Sequence, residues 1–320
     1  MEQWSGLLTS TNELSTLTIR LLVVLFVLVL ERNVSISASY HPGSLWQFLA
    51  VKLAKKTRKR TSKQQYLSGI ISSVILLTTA LIVVYSILSF ALYPWFFEAI
   101  FLLLALNSNA LLRNCQKVYR SLSVGKKNLA REQLSKVCIR DTHSLSIMGI
   151  VKGNIEGAIQ HFSLSYFTPM MVYIIAGPYF LAFYALTNAL ARYLSPKKQQ
   201  YRFFGRFVSY VAGVVSLPFH CLLAVLIALV YGFKHLSIKQ NSWHRFGTGA
   251  LLTTTANAMN RELGGAVMYD GIKIRRVTLG AQHHPQISDL KDLIRLIKRL
   301  RQSILIIISI STLFVVLAAS

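Results

Sequence analysis

LSGIISSVILLTTALIVVYSILSFAL, residues 67–92, runs for 26 positions without a charged side chain. About 20 apolar residues carry a helix across a bilayer, so this stretch places the chain in a membrane. Further apolar runs lie on either side of it. Residues 17–30 are short and contain Arg20. Residues 95–112 follow a Tyr93-Pro94-Trp95 turn and contain Glu98, Asn107 and Asn109. Residues 162–190 are broken by Pro169 and by Gly177-Pro178. Residues 207–231 contain Gly213, Pro218 and His220, and 303–319 close the chain. Trp and Tyr near the ends of the runs fit interfacial anchoring. Of 320 residues, 53% are hydrophobic and 14% charged, against roughly 25% charged in soluble domains. No segment alternates like a strand, and neither a repeat nor a Pro/Gly/Ser-rich linker divides the chain. The expected fold is an all-α polytopic membrane protein, a single domain over residues 1–320, with about 4–6 transmembrane helices. The N-terminus lacks the basic region of a signal peptide, so no cleavage is expected.

Charge sets the expected orientation. Thirty-five Lys and Arg against 11 Asp and Glu leave a net charge of +24. Lys52, Lys55, Lys56, Arg58, Lys59, Arg60 and Lys63 crowd one loop, and segments 113–140 and 233–302 are also basic. The positive-inside rule puts all three in the cytoplasm and both termini outside, as in a multi-pass protein of the cell inner membrane. The loop 192–206 is basic too, through Arg192, Lys197, Lys198, Arg202 and Arg206. If it is cytoplasmic, the flanking segments must each return to the side they left. About 30 residues cannot supply two full spans, so broken, re-entrant helices at Pro169, Pro178 and Pro218 are the favoured reading. The alternative is two simple spans with this loop outside.

The aqueous segments read as basic helical loops. In 286–302, Ile287, Leu290, Leu293, Ile294, Ile297 and Leu300 fall at helical spacing, which predicts an interfacial amphipathic helix leading into the last span. Residues 126–137 give a weaker case. Topology and attraction to anionic membrane lipid explain most of the basic surface; binding of phosphate-bearing substrates is the alternative for part of it. No zinc-finger, RNA-binding or helix-turn-helix signature is present, so nucleic acid is not an expected partner. Neither GxxxxGK[ST] nor GxGxxG occurs. Cys115, Cys138 and Cys221 are isolated and read as reduced structural thiols. His283-His284-Pro285 reads as a solvated loop rather than a metal site.

With only 11 carboxylates, each position carries weight. Arg140-Asp141-Thr142 precedes Leu145-Ser146, and Lys152 lies four residues before Glu156. Two readings stand. Asp141 or Thr142 caps a helix, and Lys152 and Glu156 form an i,i+4 pair. Alternatively, Asp141 and Glu156 hold Mg²⁺, while Arg140 and Lys152 face phosphate.

Arg140-Asp141-Thr142-x-x-Leu145-Ser146 followed by Lys152-x-x-x-Glu156 resembles the RDTxxLS…RAAVE signature of the CobD/CbiB family. These are membrane proteins of cobalamin biosynthesis, the adenosylcobinamide-phosphate synthases. Tyr40-His41-Pro42 resembles the family's HPV element, and Pro169 and Gly177 fall at its APLF and glycine pair. Asn188 aligns with the Asn of NTLD. Tyr201-Arg202-Phe203-Phe204-Gly205 is similar to YRYFG, Pro218 to the Pro of IPAR, and Leu263-Gly264-Gly265…Tyr269…Gly271 to a late LGG…Y.G block. The order holds over about residues 20 to 285. The family's EN…DG stretch falls on Gln160-His161 and Leu164-Ser165, its NTLD Thr and Asp on Ala189 and Ala191, and a paired Asp on Val211 and Ala212. Only Glu31 lies near its missing GDP element. A more distant likeness is to AmpE, a membrane protein associated with β-lactamase regulation.

The resemblance implies ATP-dependent amide formation between adenosylcobyric acid, a corrinoid, and aminopropanol or its phosphate. It implies Asp141 and Glu156 as catalytic Mg²⁺ ligands, and Arg140, Thr142, Lys152, Asn188, Arg202 and His41 as substrate-binding residues. Other cobalamin-pathway proteins are expected partners. Two further readings remain. One is a non-catalytic CobD/CbiB-like or AmpE-like scaffold or sensor. The other is a small transporter using Glu98 within the membrane.

Overall fold

The computed structural model describes residues 2–33, 42–57, 61–237 and 246–319. His41 and the centre of the basic loop at Arg58, Lys59 and Arg60 lie outside them. The described chain is helical almost throughout: α1 (Glu2–Asn33), α2 (Pro42–Thr57), α3 (Ser62–Phe90), α4 (Pro94–Ala105), α5 (Ser108–Ser123), α6 (Lys127–Ser135), α7 (Ile147–Phe162), α8 (Thr168–Tyr193), α9 (Arg206–Tyr231), α10 (Thr248–Ala258) and α11 (Asp289–Ala319). Among the described residues, five helical stretches are long and apolar enough to cross a membrane: Ser62–Phe90, Pro94–Ser123, Ile147–Tyr193, Arg206–Tyr231 and Asp289–Ala318. The protein is an all-α polytopic membrane protein. Its outer surface carries lipid-compatible side chains such as Phe26, Ile75, Ile82, Phe90, Ile310 and Phe314.

Four three-residue strands, absent from the sequence reading, sit on the basic face. β1 (Glu262–Gly264) pairs antiparallel with β4 (Thr278–Gly280), and β2 (Val267–Tyr269) pairs with β3 (Ile272–Ile274). The β2–β3 turn is Asp270-Gly271, with φ of 46° and 80°. Positive φ at both central residues marks a type I′ hairpin turn, where Asp-Gly is favoured.

The segment 162–190 is a helical hairpin rather than a span. Inside α8, Gly177 takes φ 80°, ψ −170°, a conformation that glycine adopts without Cβ strain. Beyond it, the chain turns back. Tyr184 Oη and Asn188 Nδ2 both donate to the Leu164 carbonyl, at 2.9 and 3.2 Å, which brings residues on opposite sides of Gly177 together. The returning arm, 178–193, is roughly 24 Å long, short of the about 30 Å of hydrocarbon. A π-helical turn, Ser163–Phe167, joins α7 to this hairpin. The Arg20 guanidinium donates to the carbonyls of Ile174 and Ile175 at 3.3 Å each. It thus satisfies backbone groups freed at the break, where lipid offers no partner.

The hairpin decides where the 192–206 loop lies. Gln199 N donates to Asp270 Oδ2 at 2.8 Å, and Lys197 lies over the Tyr269 ring at 5.6 Å. The same β-hairpin receives the 136–146 loop, through Asp141 N to Met268 O at 3.0 Å. Both basic loops therefore share one face, as the re-entrant reading expects. The proline argument needs two corrections. Pro169 follows the π-helical turn Ser163–Phe167 in a run that stays helical from Ile147, so the helix does not break there. Pro218 lies inside α9, which runs on without a non-helical residue. Segment 207–231 is therefore one continuous helix, not a second broken one.

Residues 95–112 do not form a single helix either. α4 ends at Ala105, and Leu106 and Asn107 are non-helical. α5 starts at Ser108 without a side-chain cap of its own. Glu31 supplies the acceptor instead: Ser108 N and Asn109 N donate to its Oε1 at 3.0 and 2.9 Å. A carboxylate at a helix N-terminus satisfies orphan donors and the helix dipole together. Arg301 closes the group, reaching Glu31 Oε2 at 2.9 Å and Asn109 Oδ1 at 2.8 Å. Glu98 accepts from Tyr173 Oη at 2.6 Å, a hydrogen-bonded position on the α4 face against the hairpin.

α11 is one helix through 289–319. The apolar stripe of its first half is buried in protein at Leu290, Leu293, Leu296, Ile297 and Leu300. This replaces the interfacial placement expected from the sequence. The stripe packs on α5 and α7, so α11 joins the core of the basic face before entering the lipid-facing part.

Candidate functional site

The loop between α6 and α7, residues 136–146, shapes the site. Arg131 donates from Nε and Nη2 to the Leu145 carbonyl, at 3.1 and 2.7 Å. Ser146 then caps α7, its Oγ accepting from Gly149 N at 3.1 Å. The cap is thus Ser146, not Asp141 or Thr142. Asp141 instead holds the β2–β3 turn, its Oδ2 accepting from Gly271 N at 2.8 Å. Thr142 is buried beside it.

Glu156 is the centre of the face. Its Oε1 accepts from Gly264 N at 2.8 Å. Its Oε2 accepts from Arg276 Nη2 at 3.0 Å and from Arg140 Nη2. All three groups are buried, with Glu156 only 1% exposed. Arg276 also donates from Nε to the Gly265 carbonyl at 3.0 Å. Burial opposes the charge of Arg140, but Glu156 against it outweighs this and raises its pKa. The late glycine block is explained by the same contacts. Gly264 has φ 77°, and a Cβ there would lie 2.3 Å from the Val277 carbonyl oxygen.

Lys152 does not pair with Glu156. It reaches Glu262 Oε1 at 2.7 Å, tying α7 to β1, while His284 Nδ1 lies 3.1 Å from Glu262 Oε2. The Lys152 hydrogen bond holds the Glu262 carboxyl below the usual carboxylate range. A depressed folded pKa stabilises above the unfolded value and is lost as pH falls through the folded one. Acidification below about 4.5 is therefore expected to loosen β1 from α7, read as faster amide exchange at Gly264. With Lys152→Met this pH dependence should shrink.

Above Glu156 opens a cavity of about 590 Å³. Its wall carries Lys136, Arg140, Arg192, Lys197, Lys198 and Arg276, six cations against the two carboxylates Asp141 and Glu156. Gln160, His161, Leu164 and Ser165 line it as well. They stand where the family's EN…DG stretch falls, with Gln160 and Leu164 at its two acidic positions. Arg192, Lys197 and Lys198 have no carboxylate partner among the described residues. The Nδ1 atom of His161 is buried there without a hydrogen-bond partner. Burial raises the pKa of the neighbouring Cys138 thiol and keeps it protonated; all three cysteines are free.

The sequence candidates thus divide. Arg140, Asp141, Thr142 and Glu156 meet at the cavity. Lys152 is engaged below it. Asn188 is a tie within the hairpin. Arg202 is exposed and stacks on its neighbour Phe203. His41 lies outside the described residues. Arg192, Lys197, Lys198 and Arg276 also line the cavity without being among the sequence candidates. The signal for the first three was the basic 192–206 loop itself.

A magnesium ion does not fit these residues. Both oxygens of Glu156 are taken by N–H donors, two of them from guanidinium groups whose charge repels a cation. One oxygen of Asp141 is taken by Gly271. Among the described residues no group of three His, Cys, Asp or Glu is placed to hold a metal. The cavity suits a phosphate instead, since Arg and Lys donors recognise phosphate oxygens.

A polytopic membrane protein with a helical hairpin under a basic, glycine-clamped cavity is the class that these features define. The family model described as CobD/Cbib protein matches residues 24–297, and the chain belongs to that family. It is 26% identical over 206 residues to "Cobalamin biosynthesis protein CobD" of Chromobacterium violaceum, covering 62% of this chain and 65% of that protein. It is 25% identical over 254 residues to the protein of the same name from Leptospira interrogans, covering 75% and 80%. A third relative so named, from Streptococcus sanguinis, is 25% identical over 58% of this chain and 61% of its own length. The matched region thus falls just short of two thirds of the first and third relatives. No solved structure matches the chain.

Proposed function

We propose that this protein acts in cobalamin biosynthesis at the cell inner membrane. In this reading, its cavity holds the phosphate-bearing substrate of an amide-forming step that joins adenosylcobyric acid to aminopropanol or its phosphate. The observation that supports it most is the charge of the cavity: six cations with both nearby carboxylates already engaged. Arg192, Lys197 and Lys198 grip the phosphate, and His161 Nδ1 offers one further polar atom to the ligand. The amphiphilic corrinoid lies across the mouth of the cavity, with the phosphate of the aminopropanol partner inward. ATP is the expected source of activation for the carboxyl group, and its phosphates suit the same cations.

A second reading is favoured by a separate observation, the misfit of magnesium to Asp141 and Glu156. In it the chain is a non-catalytic CobD/CbiB-like or AmpE-like scaffold or sensor, which binds the phosphorylated corrinoid and presents it to other cobalamin-pathway proteins. One experiment separates the two. The chain is expressed in a cell lacking its own synthase and supplied with cobyric acid or with cobinamide. Growth on cobyric acid is the result expected of the synthase. Growth on cobinamide alone, with the protein present in the membrane, leaves the binding role and removes the catalytic one.

A further inference from the structure

A second basic hollow lies away from this cavity, between the end of α1, the start of α5 and the middle of α11. We propose that it seats the phosphodiester headgroup of an anionic phospholipid. The hollow measures about 490 Å³ and is lined by Arg32, Arg113 and Lys298, over the apolar side chains of Leu28, Leu112 and Leu305. All three cations are exposed, and none has a carboxylate partner among the described residues. Arg301, which also lines it, is committed to Glu31.

Position in the fold selects the ligand. Arg32 stands in the last turn of α1, directly after Phe26 and Val29, which are 55% and 49% exposed. Lys298 stands two to three turns before Ile306 and Ile310, 48% and 62% exposed on α11. Both rows of apolar side chains run from the hollow into the lipid-facing surface. The phospholipid lays its chains along these rows with its phosphate among the three cations. Basic pockets between membrane helices recognise anionic headgroups in this way. Free phosphate has the same charge chemistry but makes no use of the apolar rows.

Native mass spectrometry of the full chain, relipidated from phosphatidylcholine vesicles containing phosphatidylglycerol, tests the site. Wild type should retain phosphatidylglycerol in preference to phosphatidylcholine. Each cation near the surface contributes about fivefold, so the triple variant Arg32→Gln, Arg113→Gln, Lys298→Gln should weaken retention about 100-fold. These side chains are exposed, so its melting temperature in detergent should match wild type. A control variant on the same helix, Lys117→Gln with Arg120→Gln, should retain the lipid. Equal loss in both variants would mean diffuse surface attraction and overturn the proposal. So would retention of phosphatidylcholine as strong as that of phosphatidylglycerol. Displacement of the lipid by millimolar inorganic phosphate would identify a free-phosphate site instead and also overturn it.

Discussion

Glu156→Ala is expected to destabilise the protein by about 3–5 kcal/mol, the cost of leaving a buried charge without its partner. The substitution strands two guanidinium groups, Arg140 and Arg276, beside each other in a buried site. It also leaves the Gly264 N–H, which donates to Oε1 at 2.8 Å, without an acceptor. These groups come from the 136–146 loop, from β1 and from the segment before β4, so the whole basic face loosens together. In detergent the melting temperature should fall by about 10 °C, at roughly 2–4 °C per kcal/mol for a chain of this size. Glu156→Gln keeps the acceptor for Gly264 but loses the charge, and should fall between. Magnesium offers a direct contrast. A ligand that binds only the folded state raises stability by mass action. If Glu156 held Mg²⁺, the ion would raise the wild-type melting temperature; as an internal counter-ion it gives no magnesium effect. A melting temperature for Glu156→Ala close to wild type would remove Glu156 from this role.

Gly205→Ala carries the second large effect. A Cβ at Gly205 would stand 1.6 Å from the carbonyl oxygen of Leu194 and 2.8 Å from its carbon. Both are backbone atoms, so no rotamer change relieves the contact. The residue ends the Tyr201–Gly205 motif, and the loop closes on itself at this point. Forcing a methyl group into a packed site costs about 1–3 kcal/mol, and more when backbone must move. The expected cost here is at the upper end, roughly 3 kcal/mol or above. The displaced loop carries Lys197, Lys198 and the Gln199 contact to Asp270. Ligand affinity should therefore fall with stability, and proteolysis within 194–206 should quicken. Arg202→Ala, on the exposed side of the same loop, should change the melting temperature by less than about 2 °C, as surface substitutions do. Normal stability in Gly205→Ala would show that the loop is not closed as described.

Local features were legible in the sequence, and long-range pairings were not. Residues 67–92 announced the membrane, and Gly177-Pro178 announced the break in the hairpin, because a glycine and a proline in an apolar run act on their own backbone. The same local rule misled at Pro218, where α9 absorbs the proline, and at Pro169, where the helical run continues across the π-helical turn before it. The β2–β3 hairpin was readable: Tyr269-Asp270-Gly271-Ile272 places Asp-Gly between two short β-forming runs. Its three-residue strands were too short to show alternation. The partners of Glu156 could not be read, since Arg276 lies 120 positions away and Lys152 is the nearer cation by spacing. Packing turned Lys152 to Glu262, and left Glu156 to the two arginines. Likewise, Glu31 stood alone in sequence. Only the fold brings the start of α5 and Arg301 to it.

The central claim is that the cations above Glu156 bind the phosphate of a corrinoid ligand. Equilibrium dialysis of the purified full chain against adenosylcobinamide phosphate and adenosylcobinamide, which differ by that phosphate, tests it most directly. A charge-assisted hydrogen bond contributes about 1.5–3 kcal/mol. The phosphorylated corrinoid should thus bind at least about tenfold more tightly, and Arg192→Gln with Lys197→Gln and Lys198→Gln should abolish the difference without changing the affinity for adenosylcobinamide. Equal affinity of the wild-type protein for the two corrinoids would contradict the account.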